Sequence, residues 1–418
     1  MTALAQDSRS EPELAAARRR SRWTLASAVA LGSTGYIAAV TVTTIVARDL
    51  LGSGTWAGLP GAGLVLGSAA GSVLLSQLMS ARGRRPGLVA GYGFVILGSL
   101  IALAAILSRS FPLLVGGVVV IGFGNAANQL ARYAAADMVS PERRAWAIGL
   151  VVWASTVGSV AGPSLAPVAG RAASEAGLPD LAGPFLLPAI FGALAGLLVF
   201  VLLRPDPYEL ADESSMDRAT AQVERIHIRS ILRRPGVLAA IVALVVSQLV
   251  MVLIMTMTPL HMTEHGSDLA AVGIVISAHT LGMFAFSPVS GRLTDHFGAV
   301  PTIFAGTAIL AGSSLLAAAA PPAGGPALVA ALFLLGWGWN LGFVAGSALL
   351  SEHLELHERT RVQGVADAMI WSSAAAASLG SGLIMAAVGY AALGVIGAGL
   401  VAIPIVVLGV NRRPLSAR

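Results

Sequence analysis

Arg18 to Val46 reads RRRSRWTLASAVALGSTGYIAAVTVTTIV, and this one stretch decides the class of fold. Four arginines, at 18, 19, 20 and 22, are followed by an uncharged run from Trp23 to Val46. A helix needs roughly 20 apolar residues to cross about 30 Å of hydrocarbon, whereas the apolar core of a cleaved signal peptide is only about 7–15 residues long. The run therefore predicts a retained first membrane helix.

The same pattern recurs to the end of the chain. Apolar spans are predicted at about 23–46, 57–78, 87–107, 111–134, 145–168, 185–203, 237–258, 269–289, 300–320, 327–350, 362–388 and 390–410. Only helices and closed barrels satisfy their backbones within lipid, and continuous runs of this length are helical. The expected fold is an all-α membrane protein with twelve transmembrane helices in two pseudo-symmetric six-helix bundles. Its parts are an N-terminal tail at 1–22, a first bundle at 23–203, a polar linker at 204–235, a second bundle at 236–410 and a tail at 411–418.

Composition agrees. Of 418 residues, 56% are apolar and 11% charged, and the mean hydropathy is +0.80, which excludes a water-soluble domain. There is no cysteine, which removes disulfides, thiolate metal sites and cysteine nucleophiles together. All 26 basic residues are arginine. With the N-terminus inside, 22 of them fall in the tails and even-numbered connections, Arg48, Arg109 and Arg171 fall outside, and Arg132 lies within a span. Both termini are therefore expected in the cytoplasm, with the chain in a bacterial cytoplasmic membrane as a monomer whose partner is the lipid bilayer. The arginines before the first span set topology and contact anionic lipid, so no nucleic-acid partner is expected. No phosphate-binding loop with its lysine, catalytic zinc helix or nucleophile elbow occurs, so neither an enzyme nor a cofactor is expected.

The halves repeat. A shift of 215 residues brings Gly83 onto Gly298 and Pro86 onto Pro301, and a shift of 216 brings Gly122 onto Gly338, Glu142 onto Glu358 and Arg143 onto Arg359. Internal repeats of this kind mark secondary transporters, with a substrate site near mid-membrane between the repeats.

Over essentially its whole length the chain resembles the major facilitator superfamily. The loop signature of that family stands after helix 8 as Gly291, Asp295 and Gly298. In the first half Ser76 and Ser80 replace the glycine and aspartate, leaving Gly83, Arg84 and Arg85, so the cytoplasmic latch of the family is expected to be altered on that side. Gly158, Gly162 and Pro163 on helix 5 are similar to the glycine-proline motif of the antiporters, although small residues four apart also serve plain packing. Val118 stands where many drug and proton antiporters place an arginine, which argues against proton-driven drug export.

Three groups of residues could hold a substrate. Asn125, Asn128, Gln129 and Arg132 share one face of helix 4. A membrane arginine needs a cavity or a counter-charge, and Asp137 and Asp367 are the candidate partners. Helix 10 adds Trp337, Trp339 and Asn340, which packing also explains. Met251 and Met255 on helix 7, and His279 and Met283 on helix 8, repeat a four-residue spacing at comparable depth. Thioether sulfur and imidazole suit Cu(I), although methionine is also a common filler of helix contacts.

The pattern M-x-x-x-M followed by H-x-x-x-M resembles the CcoA-like copper importers. The resemblance implies that Met251, Met255, His279 and Met283 are ligands and that copper is imported as the transported substrate. His261 and His265, beside Glu264 and Asp268, and His353 and His357, in a loop before helix 11, are secondary metal candidates that solvated loops also explain. Riboflavin transporters belong to the same branch, so an organic-solute carrier (riboflavin-like or a drug/proton antiporter) using Asn125, Asn128, Arg132, Asn340 and Trp337 is the alternative. A non-transporting membrane sensor or scaffold acting through the linker is the alternative from another class.

Overall fold

The fold was obtained as a computed structural model that describes residues 10–51, 58–210, 228–267, 269–321 and 325–410. Twelve helices long and apolar enough to cross a membrane occur among the described residues. We number them α1 (Glu11–Leu51), α2 (Leu59–Arg82), α3 (Arg84–Leu107), α4 (Phe111–Asp137), α5 (Pro141–Glu175), α6 (Asp180–Leu202), α7 (Pro235–Glu264), α8 (Ala271–Phe297), α9 (Ala299–Ala319), α10 (Pro326–Glu352), α11 (Leu356–Val388) and α12 (Tyr390–Gly409). No strand occurs among these residues. The predicted all-α, twelve-helix fold is therefore the observed one.

Several helices overrun the apolar runs that announced them. α1 begins at Glu11 rather than Trp23, because the alanine, leucine, glutamate and arginine of this segment are good helix formers even in water. The expected 1–22 tail is thus helical from Glu11 on. Arg18 Nε donates to the Leu210 carbonyl at 3.0 Å, and Arg20 donates to that of Arg204, which docks the helix end onto the chain leaving α6. Most of the 204–235 linker, at 211–227, and the tails at 1–9 and 411–418 lie outside the described residues.

Two of the three single-glycine connections among the described residues correspond between the halves. Gly83 between α2 and α3 has φ 94° and Gly298 between α8 and α9 has φ 90°, a region that side chains make costly. They occupy matching places in the two halves. Prolines near the starts of the second segments break α7 after Met255 and α8 after Phe284, as a missing backbone N–H and ring clash require.

Within the first half α1 packs on α5 and α6, and α4 packs on α2 and α3. In the second half α10 packs on α7, α8 and α9, and α12 on α7 and α9. The halves meet along two seams, α2 with α11 and α5 with α8, and α4 approaches α10 and α11 between them. Small residues make the close approaches. A Cβ on Gly67 would run into the Val119 carbonyl and one on Gly122 into that of Leu64, so α2 and α4 touch backbone to backbone, as membrane helices without a hydrophobic drive between them do.

Gly122→Val should lower the melting temperature of the purified protein, since overpacking costs about 1–3 kcal/mol or more. Gly93→Val, with nothing within 4 Å of its Cβ, should leave it unchanged within about 0.5 kcal/mol. Equal melting temperatures would contradict the packing described.

Candidate functional site

A cavity of about 160 Å3 lies between the halves at the mid-length of the spans. Its walls come from α1 (Ser33, Tyr36), α4 (Asn125, Asn128, Gln129, Arg132), α7 (Gln248), α8 (Met283, Phe284), α10 (Trp339, Phe343) and α11 (Asp367, Trp371). This mixture of aromatic rings with a few polar groups suits a small organic molecule.

All four polar residues predicted on one face of α4 line the cavity. Arg132 also takes one of the two counter-charges considered. Its Nη2 lies 2.5 Å from Asp367 Oδ1 on α11, with both side chains about 2% exposed. The guanidinium further donates to Ser347 Oγ at 3.3 Å and Tyr133 Oη at 3.0 Å, and it lies over the rings of Tyr133 and Phe343 at 4.2 and 4.4 Å. A buried charge needs such a fully bonded setting. The pair also pins α4 of one half to α11 of the other.

The other expected partner, Asp137, sits elsewhere. Its Oδ2 accepts from Arg84 at 2.7 and 3.2 Å, and Arg84 reaches across to Gln363 Oε1 on α11 at 2.8 Å. Arg359 of α11 stands 3.6 Å from Asp137 Oδ1. This network closes the α2–α11 seam at the arginine-rich end of the molecule. Ser76, which replaces the signature glycine, packs against Gly364 of α11. The opposite seam uses the intact signature: Asp295 accepts from the backbone N–H groups of Ala145 and Trp146 at 3.0 and 2.9 Å, while Gly291 lets α8 approach Ala145 closely. A carboxylate from one half therefore caps a helix of the other. In the first half Asp206, from beyond α6, accepts from the backbone of Arg84 and Arg85 at 3.1 and 2.8 Å and fills the space beside Gly83. Gly158 and Gly162 press α5 onto Ser33 and Thr34 of α1, with Pro163 inside the same helix.

Two residues expected on the cavity wall lie off it. Asn340 is buried and donates to the Met283 carbonyl at 2.6 Å and to Ser287 Oγ at 2.7 Å, tying α10 to α8. Trp337 packs on Phe286. Two residues further, roughly 200° round the helix, Trp339 faces the cavity instead, stacking on Phe343 at 4.7 Å and donating from Nε1 to Gln248 Oε1 at 2.8 Å. Gln248, Tyr36 and Trp371 were not singled out in the sequence. Gln248 carried a readable signal as the one amide in the apolar run of α7.

Of the four sulfur and imidazole groups, only Met283 lines the cavity. Although their ligand candidates match in depth, α7 and α8 are each packed along α10 and approach one another chiefly near their connecting turn. His279 is buried against α10, where Nδ1 donates to the Leu332 carbonyl at 2.9 Å, and its Nε2 has no partner among the described residues. Met251 is buried, and Met255 lies partly buried two turns beyond Gln248 on the same face. The structure thus places the imidazole against a third helix and one thioether in the cavity. Of the secondary candidates, the His261 ring stacks on Tyr390 at 4.2 Å and lies 4.5 Å from that of His265. The His353 ring packs on Gly236, His357 stands beside Glu355, and Asp268 lies outside the described residues.

Comparison with known proteins identifies the architecture. The profile of the Major Facilitator Superfamily matches residues 24–271 and 240–418. The uncharacterised MFS-type transporter YdeG of Bacillus subtilis is 40% identical over 389 residues, which cover 90% of this chain and 88% of that protein. The riboflavin transporter RfnT of Brucella anthropi is 28% identical over 409 residues, covering 96% and 98%. Among solved structures, the human organic anion transporter MFSD10 superposes with a TM-score of 0.73 at 18% identity, covering 94% of this chain and 99% of that one. At that identity the likeness is one of fold.

Asp137→Ala leaves Arg84 and Arg359 facing one another in the interior without their carboxylate, so a loss of about 3–5 kcal/mol is expected. Arg109→Ala removes a 3.5 Å pair with Asp49 whose side chains are 69% and 52% exposed, worth about 0–1 kcal/mol. Thermal unfolding of the two variants should rank in that order, and a silent Asp137→Ala would refute the network.

Proposed function

The chain belongs to the major facilitator superfamily, and on that premise we propose that it is a secondary transporter for an aromatic, polar organic solute of flavin type. Members of this superfamily are carriers of small molecules rather than enzymes. The observation that carries the reading is the composition of the cavity: Tyr36, Phe284, Trp339, Phe343 and Trp371 supply flat apolar surface, while Asn125, Asn128, Gln129 and Gln248 supply neutral hydrogen-bonding groups. Rings bind by stacking and polar edges by directed hydrogen bonds, and the low polarity around them strengthens both. The kinship with a riboflavin transporter over nearly the whole chain supports the same class.

The geometry also supplies a transport cycle. Both seams are closed at the arginine-rich end, so the solute enters from the opposite side. It settles between α4 and α10 above the Arg132–Asp367 pair, which spans the two halves. Rocking of the halves then requires the contacts at Asp295 and Asp137 to part while others form on the far side. With the arginine-rich end in the cytoplasm, as the positive-inside rule leads us to expect, the closed side is the cytoplasmic one.

Copper uptake is the second reading. What supports it is the unpartnered His279 Nε2, one helical turn from Met283. The solute reading is favoured because three of the four groups stand outside the cavity lining.

The test is transport by the full chain in proteoliposomes with riboflavin and, separately, Cu(I). Riboflavin uptake should fall about tenfold in Trp339→Ala, the equivalent of about 1.4 kcal/mol of lost stacking, and persist in Met255→Leu. Copper uptake that Met255→Leu abolishes, with no riboflavin uptake, would replace this reading by the copper one.

A further inference from the structure

The two amides that face each other across the cavity each have one end committed. Tyr92 is buried, and its hydroxyl makes its hydrogen bond to Asn128 Oδ1 at 3.0 Å. A buried hydroxyl must donate to something, so this contact fixes which end of the Asn128 amide is oxygen. The Asn128 Nδ2 group then points to Asn125 Oδ1 at 2.9 Å, and the order propagates. Asn125 is left with Nδ2 as its outer group, buried and without a partner among the described residues, in a residue that lines the cavity.

On the opposite wall the same logic holds with different residues. The Trp339 indole can only donate, and it donates to Gln248 Oε1 at 2.8 Å. That fixes the Gln248 amide as well. Its Nε2 group is the end left over, again in a buried residue that lines the cavity. Amide orientation is decided by the hydrogen-bond network rather than by shape, and here both networks are anchored by obligatory donors.

We infer that the site is selective for carbonyl-edged rings: Asn125 on α4 and Gln248 on α7 each offer an amide N–H to a carbonyl oxygen of the cargo. This rests on the solute reading and sharpens it. A cargo edged with carbonyls completes both networks, whereas one edged with amino groups sets donor against donor and leaves Asn125 Nδ2 unpaired. Sites built around unpaired polar groups discriminate strongly against analogues that cannot pair them. The arginine at the floor does not alter the balance, because its donors are committed to Asp367, Ser347, Tyr133 and the Gln129 carbonyl.

The experiment uses the purified full chain and two probes of opposite polarity, lumichrome with its dicarbonyl edge and 2,4-diaminopteridine, read by quenching of tryptophan fluorescence. Wild type should bind lumichrome more tightly. Asn125→Asp and Gln248→Glu keep the shape and the inward acceptor but turn the outer donor into an acceptor, so each should weaken lumichrome about tenfold or more and improve 2,4-diaminopteridine. Thermal unfolding checks that each variant is folded. Should a variant fail to fold, the wild-type preference between the probes decides. Binding with no dependence on polarity, or a wild-type preference for the diamino ring, overturns this assignment and leaves the solute reading standing. Failure of both probes, with riboflavin also unbound, overturns the solute reading and this one together.

Discussion

A charge held away from water must find its opposite within the protein, and here it finds that opposite in the other half of the molecule. Arg132 of α4 is neutralised by Asp367 of α11, and Asp137 stands between Arg84 of its own half and Arg359 of the other. Asp295 of α8 answers the partial positive charge at the start of α5. Small-residue packing builds each bundle and also lets the two meet closely at their seams, while a few ionic and dipolar contacts link one half to the other.

Most of the fold could be read from the order of residues alone. Uncharged runs such as Trp23–Val46 state the constraint of the bilayer directly, and the matching glycines at 83 and 298 mark the same turn twice. Where helices continue into water the apolar signal stops before the helix does, which is why α1 starts at Glu11. The face of α4 was legible because 3.6-residue periodicity gathers Asn125, Asn128, Gln129 and Arg132. What periodicity cannot supply is which helix stands next to which. Met251 and His279 match in depth, but α10 packs along both of their helices. Trp337 and Trp339 differ by two positions and so by a little over half a turn, and only tertiary packing decides which of them meets the cavity.

The first-half signature shows how a lost motif can be replaced by different chemistry. Ser80 stands at the position matching Asp295 and bonds only its own turn, through Gln77. The helix it would have capped, α11, instead closes on itself through Glu355 and Glu358, and Arg234 grips Glu358 at 2.7 and 2.8 Å. The seam beside it relies on Arg84, Asp137 and Gln363.

That difference makes the two seams unequal when they part. On the α2–α11 side Asp137 keeps Arg84, which belongs to its own half, and α11 keeps its internal cap. On the α5–α8 side separation strips the amides of Ala145 and Trp146 of their acceptor and leaves Asp295 without its donors. Separation therefore leaves the α2–α11 edge with ionic and capping partners inside each half, and the α5–α8 edge dependent on water to replace the ones it loses.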